Sequence, residues 1–254
     1  MTELVRYEVA GSVATITLDS PHNRNALSAQ LVTELSARLA EAGADPAVRV
    51  VVLAHTGTVF CAGADLKAAG TGSTGDAGAA IMAVLRAITE LPKPVIGRIA
   101  GHVRAGGMGI VGACDLAVAT EGASFAFTEA RIGLAPAMIS LTTLDVMEPR
   151  QAARYYLTGE TFGPSVAAHL GLVTVAAPDG ELDQVVDGLA AQILQTSPQG
   201  SAETKKLLTA ARRHRLETYG PEMAVLSARL FASDEAQEGI HAFLERRAPA
   251  WRSG

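Results

Sequence analysis

Two segments rich in small residues are candidates for a functional site. Residues 60–67 read Phe-Cys-Ala-Gly-Ala-Asp-Leu-Lys, and residues 105–109 read Ala-Gly-Gly-Met-Gly. Small residues let a ligand approach the backbone closely, and the first amides of a helix have no partner within it. Two such amides on separate loops could bind one oxygen atom, as in an oxyanion hole. On glycine alone, a tight contact between a helix and a sheet is the better explanation of the second segment.

Glu129 is the candidate acid or base, in the segment Phe-Thr-Glu-Ala-Arg-Ile-Gly at 127–133. An apolar pocket would raise the pKa of its carboxyl group toward the range useful for proton transfer. The competing interpretation is a surface salt bridge with Arg131, and the residues by themselves favour it.

Other motifs in the chain predict no further chemistry. Residues 107–112 fit the three-glycine dinucleotide pattern, but five residues, 101–105, separate the preceding strand from Gly106, and the helix has room for only about two turns. Cys61 and Cys114 cannot form a disulfide framework or a four-ligand zinc site, and Cys61 is interpreted as a small buried thiol. The six histidines show no metal-ligand spacing.

Composition sets the class of protein. The chain has 254 residues, 48% of them hydrophobic, which is enough to bury a sizeable core. A formal net charge of −5 and an aromatic content of 4% argue against a nucleic-acid partner. No apolar stretch reaches the roughly 18 residues needed to span a bilayer, and the first residues lack a signal-peptide pattern. These observations predict a soluble, cytoplasmic protein with no membrane partner.

The elements that must position these residues follow from periodicity. Residues 4–9 and 13–18 are predicted as two strands, and Ser28 is predicted to cap a helix that ends at Gly43. That helix carries a leucine at every fourth position: Leu27, Leu31, Leu35 and Leu39. The pattern further predicts a buried strand at 48–54, a helix near 79–91, and strands at 95–100 and 116–119.

The second half of the chain is predicted to be mostly helical from about residue 149, with a strand-like run at 172–176. Ser197-Pro198 and Gly220-Pro221 are expected to interrupt the helices, and Asp234 to stand at the start of the last one. We therefore predict a layered α/β core over residues 1–195 and a helical region over 196–254. Residues 68–78 are either a lid or a surface loop.

Several segments in this order and spacing resemble one family. They are Arg24-Asn25-Ala26-Leu27, residues 62–67, Ala105-Gly106-Gly107 with Cys114-Asp115, and Glu129 with Gly133 and Pro136. Segments at 157–160, 171–173 and 243–247 are also similar, so the resemblance covers essentially the whole chain. The family is the crotonase superfamily, which contains the enoyl-CoA hydratases and isomerases.

The resemblance implies an α/β fold, the crotonase spiral of strand–strand–helix units, with a helical C-terminal region through which three or six chains associate. It implies an acyl-CoA thioester substrate and no metal or redox cofactor, since coenzyme A is part of the substrate. By position, the amides of Ala64 and Gly106 would hold the thioester oxygen and Glu129 would transfer protons. Positions that match substrate-binding segments are Arg24, Ala26, Ala62, Asp65, Leu66, Lys67 and Phe243.

One departure from the family pattern leaves the reaction open. Gly109 stands where hydratases with two glutamates carry the other carboxylate. A lone Glu129 suits an isomerase, yet the segments around Gly109 and Pro136 resemble a branch usually assigned as hydratases despite a glycine there. We therefore predict an enoyl-CoA hydratase, with an isomerase and a non-catalytic acyl-CoA-binding protein as alternatives. His102, Arg104 and Asp145 are weaker candidates near the pocket, and either of the first two could replace the missing group.

Overall fold

The computed structural model describes residues 2–66 and 74–252 of the chain. Its main sheet has six strands in the order β1–β2–β3–β5–β7–β9. Only the first pair is antiparallel, and the remaining pairs are parallel. The strands of this sheet are β1 (Val5–Ala10), β2 (Val13–Leu18), β3 (Val50–His55), β5 (Val95–Ile99), β7 (Leu116–Thr120) and β9 (Val175–Ala177).

A second, smaller sheet is formed by the short strands that follow three of these. It contains β4 (Val59–Cys61), β6 (His102–Arg104) and β8 (Phe125–Ala126), all parallel. Each turn of the chain thus places one strand in the large sheet and the next in the small sheet, and a helix then returns it. The result is the predicted spiral of strand–strand–helix units.

Helix α1 (Ala29–Ala44) begins and ends close to where the sequence predicts. Ser28 caps it, because its hydroxyl oxygen accepts a hydrogen bond of 3.3 Å from the Leu31 amide. Leu31, Leu35 and Leu39 lie on one face and are fully buried, since spacing of three to four residues returns to the same side of a helix. The helix ends one residue beyond the predicted Gly43.

Strand β3 is buried at every position. This explains its continuous run of valine and leucine, because a central parallel strand has helices or loops on both faces.

Helix α2 (Thr74–Glu90) begins five residues before the position predicted for it. Residues 67–73 lie outside the described chain, so the choice between a lid and a surface loop falls largely outside the structure. The last five residues of the predicted segment, 74–78, belong to α2. The glycine-rich composition therefore misplaced the start of the helix.

The remaining helices pack around the end of the spiral. They are α3 (Gly106–Ala113), α4 (Ala137–Val146), α5 (Pro149–Thr158), α6 (Pro164–His169), α7 (Leu182–Leu194), α8 (Pro198–Leu208), α9 (Ala210–Phe231) and α10 (Asp234–Leu244). Three short 3₁₀ turns accompany them, at Pro21–Asn23, Glu129–Ile132 and Ala250–Arg252. The division of the chain at residue 195 stays a prediction.

The predicted interruption at Gly220-Pro221 is wrong, because α9 continues through Pro221. A proline inside a helix removes one hydrogen bond and costs about 3 kcal/mol in isolation. Here α9 packs against both α2 and α4, and Gly220 is buried against Met82. That packing outweighs the local preference. The other predicted start, at Ser197, is confirmed by its hydroxyl cap on the Gly200 amide.

Two buried ion pairs join the C-terminal helices to the spiral. Lys205 lies 2.7 Å from Asp115, and Arg212 lies 3.3 Å from Asp145. Arg212 also donates a 3.0 Å hydrogen bond to the Ala113 carbonyl at the end of α3. These contacts satisfy buried charges that would otherwise be costly, and they fix α8 and α9 against the core.

Candidate active site

A cavity of about 570 Å³ lies where the spiral meets the C-terminal helices. Its walls come from the loop before α1, the segment after β4, the start of α3, the 3₁₀ turn at Glu129–Ile132 and the start of α4. Leu230 and Phe231 of α9 and Phe243 of α10 close the remaining side. No local pattern predicted that α9 would line the site, because its contribution depends on how the helix folds back over the core.

The two predicted amides lie at one end of this cavity. Helix α3 begins at Gly106, whose amide belongs to the first turn and has no carbonyl partner within the helix. Ala105 precedes it with a φ of 45°, a conformation that L residues rarely adopt. This backbone strain turns the chain sharply from β6 into α3 and directs the first amides of the helix toward the cavity.

The segment that carries Ala64 packs directly against the start of α3. A Cβ atom built on Gly63, whose φ is 90°, would lie 3.0 Å from the Gly106 nitrogen, so only glycine fits there. A Cβ atom on Gly106 would lie 3.7 Å from the Ala64 nitrogen and 2.9 Å from Leu27 Cδ1. The two backbone segments are therefore close enough for both amides to face one oxygen atom.

Asn25 supports the chain that leads into the Ala64 segment, and the sequence analysis assigned it no role. Its Oδ1 accepts a 2.7 Å bond from the Ser20 amide, and its Nδ2 donates to the carbonyls of Thr56 and Val59 at 3.1 and 2.8 Å. Asn25 is fully buried, and its backbone φ is 52°. Asparagine tolerates this left-handed conformation better than most residues, which is the signal that could have identified it.

Glu129 lies on the wall of the cavity and is 9% exposed. Its Oε2 atom is buried and has no hydrogen-bond partner within the described chain. Burial raises the pKa of this carboxyl to about 7, with a small opposing effect from its own backbone amide. A group that titrates near neutral pH can both take and return a proton.

The alternative salt bridge between Glu129 and Arg131 is wrong. Arg131 Nε donates a 3.0 Å hydrogen bond to the Thr158 carbonyl, and no ion pair to Glu129 is found among the residues that the structure describes. The 3₁₀ turn after Thr128 places the two side chains differently from the alternation expected of a strand.

Aromatic packing lies behind this turn. The rings of Phe127 and Tyr156 are 4.2 Å apart between centroids, and Phe127 is fully buried. The Tyr156 hydroxyl is hydrogen-bonded to the Thr143 hydroxyl of α4. Hydrophobic packing therefore supports the region beside Glu129 and keeps the local dielectric low.

Helices α3 and α4 meet through small residues. A Cβ atom built on Gly109 would lie 2.6 Å from Ile139 Cγ2, and one on Gly112 would lie 2.9 Å from Thr143 Cγ2. Thr142 donates a 2.9 Å hydrogen bond to the Gly109 carbonyl. Gly109 and Gly112 therefore allow a close contact between two helices. The predicted contact with a sheet is found at Gly107, where a Cβ atom would lie 2.8 Å from Cys61 Cβ of β4.

Comparisons with known proteins give the same assignment as this geometry. Residues 8–254 match the sequence profile described as enoyl-CoA hydratase/isomerase. This chain belongs to the enoyl-CoA hydratase/isomerase family. A crystal structure of an enoyl-CoA hydratase from Mycobacterium avium is 54% identical, with a TM-score of 0.92 over 99% of this chain and 100% of that one.

Two further relatives carry a different substrate in their names. A crystal structure of carnitinyl-CoA hydratase from Mycobacterium avium is 30% identical, with a TM-score of 0.85 and full coverage of both chains. A carnitinyl-CoA dehydratase from Proteus mirabilis (strain HI4320) is 32% identical over 260 residues, which cover 99% of each chain. The fold is therefore the crotonase fold that the sequence predicted.

The structure brings together the residues that family resemblance suggested, wherever it describes them. Lys67 lies outside the described residues, and the remaining nine all line the cavity. These nine are Arg24, Ala26, Ala62, Ala64, Asp65, Leu66, Gly106, Glu129 and Phe243.

Ile139 also lines the cavity, although it was not predicted as a site residue. Two of the nine are acidic, and Glu129 is the buried one. Phe243 is 52% exposed and stands at the mouth. The roles of these residues stay predictions.

The weaker candidates near the pocket fare differently. Asp145 does not line the cavity, because it is paired with Arg212, and His102 is exposed and bonded to Ser124. Arg104 lines the cavity, but its guanidinium donates to the carbonyls of Val103 and Ser124. Burial raises the pKa of the Cys61 thiol to about 12, which agrees with an inert thiol rather than a nucleophile.

Among residues 2–66 and 74–252, no group of three or more His, Cys, Asp or Glu side chains is arranged to hold a metal ion. No helix in the same part of the chain is both long and apolar enough to cross a membrane.

Proposed function

We propose that this family member is an enoyl-CoA hydratase that adds water to a 2-enoyl-CoA thioester. The observation that supports this most directly is Glu129, a buried carboxyl with a pKa of about 7, in the same cavity as the amides of Ala64 and Gly106. The names of the Mycobacterium avium and Proteus mirabilis relatives, all of which concern water and a CoA thioester, agree with this assignment.

The proposed reaction uses one carboxylate twice. The Glu129 carboxylate takes a proton from water as the water oxygen bonds to C3, and the electrons of the double bond move to the thioester oxygen. The amides of Ala64 and Gly106 donate to that oxygen and stabilise the enolate. The enolate then takes the proton back from Glu129 at C2, which restores the carboxylate. All atoms balance, and no metal or redox cofactor is proposed.

Isomerisation is the second candidate, and Ile139 supports it. Its side chain occupies the space beside Gly109, so no second carboxylate can hold a water molecule there. An isomerase needs no water, because Glu129 could take a proton from C2 of a 3-enoyl-CoA and return it to C4.

A paired assay tests both candidates. The purified protein is incubated with a 2-enoyl-CoA and the matching 3-enoyl-CoA, and the products are identified by mass. Hydration lost in Glu129→Gln by about 10²- to 10⁴-fold, with kcat/KM rising through about pH 7 in the wild type, would support the proposal. Glu121→Gln, on an exposed turn, is the matched control and should behave as the wild type.

The other outcomes of this assay identify the alternatives. Double-bond migration without added water would establish the isomerase. Binding of a saturated acyl-CoA with no turnover, unchanged in Glu129→Gln, would instead establish a non-catalytic acyl-CoA-binding protein.

We also propose that the chain associates as a trimer or a dimer of trimers. Large apolar side chains on the C-terminal helices support self-association, because Leu207, Leu208 and Val225 are each at least 70% exposed. Light scattering coupled to size-exclusion chromatography tests this, and a monomer at micromolar concentration would contradict it.

A further inference from the structure

The contact between Gly109 and Ile139 joins the packing of two helices to the wall of the cavity. Ile139 lines the cavity although it is only 3% exposed, and it lies in the first turn of α4. A Cβ atom on Gly109 would lie 2.6 Å from Ile139 Cγ2 and 2.9 Å from Ile139 Cβ. Both distances are shorter than van der Waals contact, so any side chain at 109 competes with Ile139 for the same volume.

Helix α4 cannot easily move away to relieve that competition. Thr142 and Thr143 are fully buried, and Thr142 donates a hydrogen bond to the Gly109 carbonyl. Thr143 packs against Gly112 and donates a 2.7 Å bond to the Ile139 carbonyl. These contacts fix the backbone of α4 against α3 just C-terminal to Ile139.

We propose that Ile139 is a specificity-determining residue, because its side chain occupies the volume beside Gly109 and excludes a second proton-transfer carboxylate from the buried end of the cavity. The inference rests on the proposed function. Its consequence is that Glu129 alone makes both proton transfers, while the wall formed by Ile139 is hydrocarbon. Opening that volume for a carboxylate should raise the ratio of hydration to double-bond migration.

The steric part is tested by thermal unfolding of four proteins: wild type, Gly109→Ala, Ile139→Gly and the double variant. Gly109→Ala alone should lower Tm relative to the wild type, since the added methyl group has no room. The same change should lower Tm less in the Ile139→Gly background, where the nearest remaining Ile139 atom is Cα at 3.3 Å and alanine favours the helix. An unchanged or raised Tm for Gly109→Ala alone would overturn the proposal.

The chemical part is tested with Gly109→Glu/Ile139→Gly, and with Gly109→Gln/Ile139→Gly as a control of the same shape without the charge. The glutamate variant should raise the hydration-to-migration ratio at least about fivefold over the glutamine variant, and should add a second ionisation to the pH profile of kcat/KM. Equal ratios in the two variants would overturn the proposal. Failure of the wild type to turn over either enoyl-CoA would instead reject the proposed function, and the inference with it.

Discussion

In the proposed mechanism, the two sides of the cavity use different parts of the chain. On one side, the backbone amides of Ala64 and Gly106 would donate hydrogen bonds, and the strained turn at Ala105 sets the direction of the Gly106 amide. On the other side, the group is the side chain of Glu129, and its proton affinity is set by burial. The first side depends on where the main chain runs, and the second depends on what surrounds one carboxyl.

This difference determines which substitutions should impair each side. An amide cannot be removed by changing its own side chain, so the backbone side is sensitive to added volume and to lost loop contacts. Glu129 can be changed without altering the backbone, and the cost of burying its charge can then be measured. Each of the following variants affects mainly one side.

Gly106→Ala should have the largest effect, on the backbone side. The added methyl group would lie 2.9 Å from Leu27 Cδ1 and 3.7 Å from the Ala64 nitrogen, so it obstructs the space between the two amides. We expect kcat to fall by about 10²- to 10³-fold, or about 3–4 kcal/mol, with a smaller change in KM. Steady-state kinetics with an enoyl-CoA measures this.

Leu27→Ala in the same background is the control. It removes the clash with Leu27 but leaves the methyl group beside the amides. Recovery of most of the activity in that double variant would mean that displacement of Leu27, rather than obstruction of the amides, caused the loss.

Glu129→Gln should change stability in a pH-dependent way. A carboxyl whose folded pKa is raised from 4.5 to about 7 favours folding most below pH 4.5, and this contribution is lost as the pH rises through 7. Glutamine does not ionise, so the variant does not lose stability in this way. Its free energy of unfolding should exceed that of the wild type by up to about 3 kcal/mol at pH 8, and the two values should be similar near pH 4.5. Denaturant unfolding at several pH values measures it, and a difference that does not vary with pH would contradict the cause.

Asn25→Ala should destabilise the loops that support the backbone side of the cavity. It removes three buried hydrogen bonds, to Ser20, Thr56 and Val59, and leaves their backbone groups unpaired. We expect a loss of about 2–3 kcal/mol in the free energy of unfolding, together with a lower kcat. Asn23→Ala removes one half-buried contact to Ser20 and should cost less than half as much. Equal losses in the two variants would contradict the role of Asn25.

The fold was predictable where local patterns and the core agree. The Ser28 cap, the leucine face of α1 and the valine run of β3 each follow from residues that are adjacent in sequence. Pro221 shows the limit, because its effect on α9 is decided by contacts with α2 and α4 that no local pattern contains.

The site was predictable only in part, and for a similar reason. Glu129 and the two amides lie in recognisable segments, whereas Ile139 belongs to the site through its contact with Gly109 on another helix. The residues alone favoured a salt bridge of Glu129 with Arg131, because sequence alternation does not show that a 3₁₀ turn separates the two side chains. Burial, which sets the proton affinity of Glu129, is a property of the folded chain.

Arg24→Gln should have the smallest effect. It tests whether a side chain at the mouth of the cavity contributes to either of the two sides. The Arg24 carbonyl accepts a 3.1 Å hydrogen bond from the Ala62 amide, and this bond does not need the side chain. The change should therefore leave kcat unaltered and weaken acyl-CoA binding by about fivefold or less, an effect that shrinks in 0.5 M salt as screening predicts. Calorimetry with a saturated acyl-CoA measures it, and Arg150→Gln, on an exposed position outside the cavity, is the control. An equal loss in Arg150→Gln would show that net charge, rather than the position of Arg24, governs binding.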